Sequence, residues 1–380
     1  VPRLILEKTY GFEDVSLMPN PYSEIHSRKT DIDTGCYLGE VRLGTPIIAS
    51  PMADVCDDKL AIAMHKAGAI GCIHRFQPID EQAEMVNRVS KAGAECLAAV
   101  GTTPDALHRA GRCIENGAMG IIVDVAFLNR RTLEACSTIR KEFPDIYLIS
   151  GNIATPDSLK YAVEAGLNAV RIGIGNGQAC RTSRVTGVGI GLLTSIIECY
   201  NARKAEELDI KFICDGGIDV GGSFAKAIAA GADYAIMGRA FAATNEAPGK
   251  TYAATTDFTG GELGSYAGMA LCNAEQTAEL FERGCPIYKE YRGSASMEAQ
   301  MVYKARQDII TSEGVASLVK VFGPVEEVLG RLNGALRSSM SYLGASNYEE
   351  FRNNAYFYLV SDGMFNQTKA RTLQSREITI

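Results

Sequence analysis

The sequence predicts an α/β protein built as a (β/α)8 TIM barrel, and three observations carry that prediction. Short apolar runs of strand length recur through the N-terminal two-thirds of the chain. The segments between them carry apolar residues at helical spacing. Polar residues and glycines gather at the C-terminal ends of the runs. Continuous apolar strands alternating with helices imply a parallel sheet covered on both faces. Eight such units favour a closed barrel over an open sheet.

The runs, in order, are TPIIAS (45–50), AIGCIH (69–74), ECLAAVG (95–101), MGIIVDV (119–125), IYLISGN (146–152), AVRIGIG (169–175), KFICDGG (211–217) and YAIMGRA (234–240). DDKLAIAMHKAG and GSFAKAIAAGA typify the helical segments between them. Ser50, Asp124, Asn152, Gly175, Asp215, Gly216 and Gly238 fall at run ends, the face on which such barrels place their chemistry. After the eighth run the rhythm stops. Residues 246–315 hold TTDFTGGELGSYAGMA, a candidate helix NAEQTAELFERG and YKEYRGSASMEAQ. An insertion of this length beside the active face is read as a mobile flap. Val325–Leu343 reads as the closing helix, and the stretch after Ser361 is polar. With no internal duplication, the expectation is one catalytic domain over residues 1–380.

The chain has 380 residues, 46% of them hydrophobic, enough to bury a large core. Its 38 basic against 45 acidic residues give a net charge of −7, which argues against nucleic acid as a partner. The opening VPRLILEKTYGFEDV does not resemble a leader peptide. No apolar run approaches the roughly 18–20 residues of a membrane helix. Eleven cysteines without a CxxC pair and four scattered histidines suggest a reduced, cytoplasmic protein without a His-based metal centre.

One loop stands apart. RIGIGNGQACRTSRVTGVG (171–189) surrounds Cys180 with glycines and arginines. Glycines let backbone N–H groups turn towards an anion, and CDGGID (214–219) and MGR (237–239) offer the same at the next two strand ends. Phosphate sites in barrels commonly form there; the plainer alternative is tight turns between strand and helix. Arg181 and Arg184 lie near enough in sequence to favour a thiolate at Cys180, which could attack an electrophilic purine carbon while Thr182 moves a proton. The plainer alternative is a structural thiol.

GFEDVSLMP (11–19), ASPMADV (49–55), IHRFQPIDEQAE (73–84), VDVA (123–126), SGN (150–152), GIGNGQACRT (173–182), CDGGI (214–218), EAPG (246–249), YRGSAS (291–296) and SEG (312–314) resemble, in order, the IMP dehydrogenase/GMP reductase family. The paired CBS module that many dehydrogenases insert is absent, since PIDEQAEMV runs directly to AGAECLAAVG. The resemblance implies a purine nucleoside monophosphate substrate, a nicotinamide cofactor, a homotetramer, and Cys180 as nucleophile at the second purine carbon. Asp215 matches the ribose-binding aspartate. Gly216, Gly217, Gly238 and Tyr291 match residues around the 5′-phosphate. Ser50, Met52, Gly177 and Gly293 match others lining the nucleotide site, and Glu313 matches the flap residue that reads the purine edge. Asp124, Val125, Ala126, Asn152 and Gly173 lie where the family places cofactor contacts. The carbonyls of Gly175, Gly177 and Cys180 match those that bind a monovalent cation, K+, in the dehydrogenases. Without the resemblance, Asp124 and Asp215 would read as helix caps, Tyr291 as flap packing and Glu313 as a solvated charge.

Within the family, the dehydrogenase uses NAD and an arginine–tyrosine pair to activate water. The reductase uses NADPH, expels ammonia and relies on a threonine–glutamate pair. Between YRGSAS and SEG lies only MEAQMVYKARQDIIT, with no Arg-Tyr dipeptide, which favours the reductase; SPM, EAPG and YRG are wordings more typical of the dehydrogenase. Simple alignment puts Met297 at the reductase glutamate, so Glu298, one residue on, is the expected partner of Thr182. Gln178 stands where the family usually has a phosphate-binding serine, Arg239 replaces a small residue beside the phosphate, and Ser294 replaces a methionine near the base. Residues 251–285 have no counterpart in the family pattern. Outside the enzyme class, the competing reading is a nucleotide-binding sensor or pseudoenzyme.

Overall fold

The computed structural model describes residues 7–254, 269–298, 312–361 and 363–364. Eight parallel strands close into a barrel in chain order: Ile47–Ala49, Ile70–Ile73, Cys96–Val100, Gly120–Val123, Tyr147–Ile153, Ala169–Ile172, Lys211–Asp215 and Tyr234–Met237. The eighth pairs back onto the first, with Met237 opposite Ala49. Each run read from the sequence is a barrel strand, trimmed where its glycines and polar residues leave the ladder.

These strands are apolar on both faces for two reasons. Ile48, Leu97, Ala99, Ile122 and Ile213 fill the barrel interior. Their neighbours Ile47, Ala98, Val100, Ile121 and Phe212 pack outward under the helices. Side chains alternate with a period of two, so one run serves both layers. Each fully buried Leu or Ile contributes roughly 1.5–3 kcal/mol. A hairpin, Cys36–Leu38 with Val41–Leu43, closes the N-terminal end by burying Leu38 and Leu43 against the interior. The opposite end is left for chemistry.

The helix Val325–Leu343 buries Val325, Val328, Leu329, Leu332, Leu336 and Met340, a stripe spaced by three and four. It packs on the helix Gly221–Ala229 and stops at Gly344, in the left-handed region. The expected flap contains a four-stranded antiparallel sheet in the order Met269–Cys272, Thr251–Ala254, Ile287–Arg292, Ala316–Lys320. The candidate helix in NAEQTAELFERG is found at Ala274–Glu282. Residues 255–268 and 299–311, with most of the insertion's glycine-rich stretch, lie outside the described residues. The sheet is tied to the barrel at Arg292, whose backbone N and Nε donate to Asp54 at 3.0 and 2.7 Å. Among the described residues no helix is long and apolar enough to cross a membrane.

Candidate active site

A cavity of about 310 Å³ opens at the C-terminal ends of the strands. Ser50, Met52, Asp124, Asn152, Gly177, Cys180, Thr182, Asp215, Tyr291, Gly293 and Glu313 all line it, as do Val125, Ala126, Gly173 and Gly175. The sequence scattered these residues over more than 260 positions, and the barrel brings them to one mouth.

Strand six ends at Ile172, and the loop that follows is compact because its glycines permit it. Gly175 has φ +79°, and a Cβ there would fall 2.0 Å from Ser183 Oγ. Gly216, at φ +79°, would place a Cβ 2.7 Å from the Gly177 nitrogen. The loops after strands six and seven therefore touch backbone to backbone, an approach that only glycine allows.

Cys180 sits at the tip of this loop, partly exposed, whereas Cys56, Cys72, Cys96, Cys113, Cys136, Cys199 and Cys214 are buried. Burial pushes the Cys136 thiol up to about 11 and that of Cys199 up to about 12, so both stay protonated and inert. Cys180 Sγ lies 3.2 Å from Thr182 Oγ1, which donates to Glu313 Oε2 at 2.8 Å. The flap delivers that carboxylate. Arg181 N donates to the Glu313 carbonyl at 2.7 Å and Val315 N to the Ala179 carbonyl at 3.0 Å, so the segment 313–315 lies as a strand against the cysteine loop. Thiol, hydroxyl and carboxylate form one continuous line, the arrangement needed to carry a proton to or from the reacting centre.

A second constellation lies deeper. Val170 and Ile172 pack outward, so Arg171 between them points into the barrel interior, where a strand of this kind usually carries an aliphatic residue. Its Nη1 donates to Asp124 at 2.7 Å; its Nε and Nη2 donate to Asp215 at 3.0 and 2.7 Å. Burial alone would depress the guanidinium, but Asp215 and Asp124 outweigh it and hold its pKa above the ordinary value. Asn152 Nδ2 donates to Asp215 and to the Gly173 carbonyl, both at 2.6 Å. These bonds leave Asn152 Oδ1 buried with no partner, an unused acceptor on a residue that lines the same cavity as Asp124, Val125 and Ala126. An amide such as the carboxamide of a nicotinamide fits that acceptor.

The ends of strands seven and eight adjoin the cavity. Gly217 is left-handed at φ +66°, and Gly238 approaches so closely that a Cβ would fall 2.8 Å from the Tyr291 hydroxyl. Tyr291 is buried, which raises its pKa. Beside it Arg239 Nη1 donates to Gln178 Oε1 at 2.6 Å, joining two of the three residues that depart from the family pattern.

Glu298 is placed elsewhere. It is exposed and does not line the cavity, and the Thr182 hydroxyl is engaged by Glu313 instead. The reason is topological: Thr182 faces the returning arm of the flap, while Glu298 stands on the outgoing arm. Arg181 and Arg184, expected beside the thiol, have exposed side chains. Of the carbonyls expected to hold a cation, that of Gly177 accepts the Cys180 N–H at 2.9 Å. Sequence reasoning missed Arg171 and Asn176, whose buried Nδ2 has no partner. A lone arginine inside the apolar run AVRIGIG was the available signal for the first.

A model of the IMP dehydrogenase / GMP reductase domain matches residues 9–370. An inosine-5'-monophosphate dehydrogenase of Chlorobaculum parvum is 35% identical over 265 residues, 70% of this chain, which spans only half of that relative's length. One from Cryptosporidium parvum is 29% identical over 94% of both chains. A GMP reductase of Oenococcus oeni is 28% identical over 92% of this chain and 96% of its own. With nearly the whole barrel and its cysteine loop matched, the chain belongs to the IMP dehydrogenase / GMP reductase family.

Proposed function

We propose that the protein is a purine nucleotide oxidoreductase that runs as a GMP reductase, converting GMP to IMP and ammonia with NADPH. The observation that carries this reading is the line Cys180–Thr182–Glu313. The Cys180 thiolate adds to the second purine carbon. The proton released as Cys180 becomes a thiolate passes through Thr182 to the Glu313 carboxylate; when the bond from that carbon to the amino nitrogen breaks, ammonia leaves with that proton returned along the same path. A nicotinamide held beside Asp124 and Asn152 would supply the hydride to the same carbon, after which the carbon–sulfur bond breaks to return the thiolate. One hydride and one proton are consumed per turnover. Asp215 and Arg171 orient the ribose, and Asp124 and Asn152 Oδ1 are the groups available to hold the nicotinamide end. Glu313 thus takes the role that sequence alignment suggested for Glu298. A homotetramer in the cytoplasm belongs to the same proposal.

A second reading, IMP dehydrogenase with NAD and K+ on the carbonyls of Gly175, Gly177 and Cys180, is favoured by the relatives of higher identity, which carry that name. Two assays separate the readings: loss of reduced-nicotinamide absorbance with GMP and NADPH, and its gain with IMP and NAD. The first alone, abolished in Cys180→Ala, supports the reductase; the second alone overturns it.

A further inference from the structure

Asp54 follows strand one, is only 4% exposed and does not line the cavity, yet it takes three bonds from a single flap residue. Its Oδ2 accepts the backbone N–H of Arg292 at 3.0 Å and Nε at 2.7 Å, and its Oδ1 accepts Nη2. The paired fork fixes the orientation of the guanidinium, and the backbone bond fixes the main chain at residue 292 as well. Arg292 stands between Tyr291 and Gly293, which both line the cavity. From this point the outgoing arm of the flap holds the returning arm. Arg292 pairs with Ala316, Gly293 N donates to the Val315 carbonyl at 2.9 Å, and Glu313 N donates to the Ala295 carbonyl at 3.2 Å. The two arms meet without slack, since a Cβ on Gly314 would fall 2.7 Å from the Ser296 nitrogen.

A second carboxylate stands close. Glu290 Oε2 is buried, has no hydrogen-bond partner and lies 3.9 Å from Arg292 Nη2. Glu290 and Arg292 are two apart on the strand Ile287–Arg292 and so project to the same face. A pair between them would tie the flap to itself; the pair with Asp54 ties it to the barrel instead. We infer that Asp54 is a positioning residue: by fixing Arg292 it sets where the flap places Glu313 against Thr182, although it bonds to neither. The inference rests on the reading of Cys180, Thr182 and Glu313 as one proton path, and deepens it by naming what holds the carboxylate in place. With Asp54 neutralised, the guanidinium still has Glu290 to pair with, so the fold survives. The arm, released from the barrel, then carries Glu313 out of line.

The test is a double-mutant cycle on kcat, run in the full chain with wild type, Asp54→Asn, Glu313→Gln and the double variant. NADPH oxidation with GMP is the assay; should the enzyme run on IMP with NAD, the same cycle is read from NADH formation. Asp54→Asn is expected to lose about 10- to 100-fold, the usual consequence of a catalytic group displaced by about 1 Å. Glu313→Gln should lose about 100-fold by itself, but no more than about threefold further when Asp54→Asn is present, because the carboxylate is already out of place. Leu336→Ala, which weakens the buried face of the closing helix, is the control, and its loss and that of Glu313→Gln should multiply. Arg292→Lys, which keeps the charge and the backbone bond but not the fork, should lose less than Asp54→Asn. Full activity in Asp54→Asn, or losses that multiply in the double variant, would overturn the inference and leave the proton path intact. Full activity in Glu313→Gln would overturn the path and this inference with it. Thermal melts show whether Asp54→Asn is folded; if it is not, Arg292→Lys takes its place in the cycle.

Discussion

Thr182 Oγ1 donates to Glu313 Oε2 at 2.8 Å while standing 3.2 Å from Cys180 Sγ, across 131 residues of sequence between hydroxyl and carboxylate. The barrel supplies the thiol and the hydroxyl, and the flap supplies the acid. The line from thiol to carboxylate exists because the segment 313–315 lies against the cysteine loop.

The hydroxyl is the link in that line. Thr182→Val removes it with little change in shape, and turnover is expected to fall by about 100- to 1,000-fold, the usual range for a lost general acid–base path. Thr182→Ser should retain most of the activity. Steady-state kcat with saturating substrate is the measurement, and KM is expected to move little.

Arg171 is the keystone of the deeper constellation, and its removal should cost stability more than binding. Arg171→Met leaves the carboxylates of Asp124 and Asp215 facing each other without the cation between them. Breaking a buried ion pair from one side costs about 3–5 kcal/mol, so the denaturant midpoint should drop markedly. Adding Asp124→Asn to Arg171→Met should recover part of that loss, which a packing defect alone would not.

The contact between the loops after strands six and seven gives a third expectation. Gly216→Ala combines a left-handed backbone with a Cβ placed 2.7 Å from the Gly177 nitrogen. A left-handed residue with a Cβ costs about 1–2 kcal/mol, which a barrel of this size survives. The loop carrying Cys180 must shift to make room, however, and a displacement of about 1 Å at a catalytic group costs on the order of 100-fold in rate. A variant that melts near wild type but has lost its turnover is therefore expected.

Acid should weaken the fold through His74. Its ring is buried, which pushes its pKa down to about 4, and its Nδ1 accepts the Phe76 N–H at 3.2 Å, a bond that only the neutral ring makes. The unfolded chain takes up the proton near 6.5 and the folded chain only near 4, so the contribution is full above pH 6.5 and is lost as pH falls towards 4. At about 1.4 kcal/mol per unit, the loss is on the order of 3 kcal/mol. Chemical denaturation at pH 7, 6, 5 and 4 should show a slope in wild type that is reduced in His74→Gln.

The barrel was legible because its signal is local. Each strand announces itself within five or six residues, and the helix Val325–Leu343 shows its stripe in one stretch. The site was legible as a set of residues but not as a set of bonds. Cys180 and Thr182 are neighbours in one loop, and their pairing could be read directly. Glu298 and Glu313 lie on the two arms of the flap, and only the register between 312–316 and 292–296 decides which carboxylate reaches Thr182. Arg171 escaped because its partners lie far off in sequence: Asp215 ends the neighbouring strand seven, and Asp124 follows strand four on the other side of strand five.

The most direct test of the central claim is ammonia release from GMP in the presence of NADPH, measured for wild type, Glu313→Gln and Glu298→Gln under the same conditions. Wild type should release one ammonia per NADPH oxidised, Glu313→Gln should lose about 100-fold or more of that rate, and Glu298→Gln should run near the wild-type rate. A full rate in Glu313→Gln with a collapse in Glu298→Gln would return the proton to the outgoing arm of the flap and contradict the line drawn from Cys180 through Thr182 to Glu313.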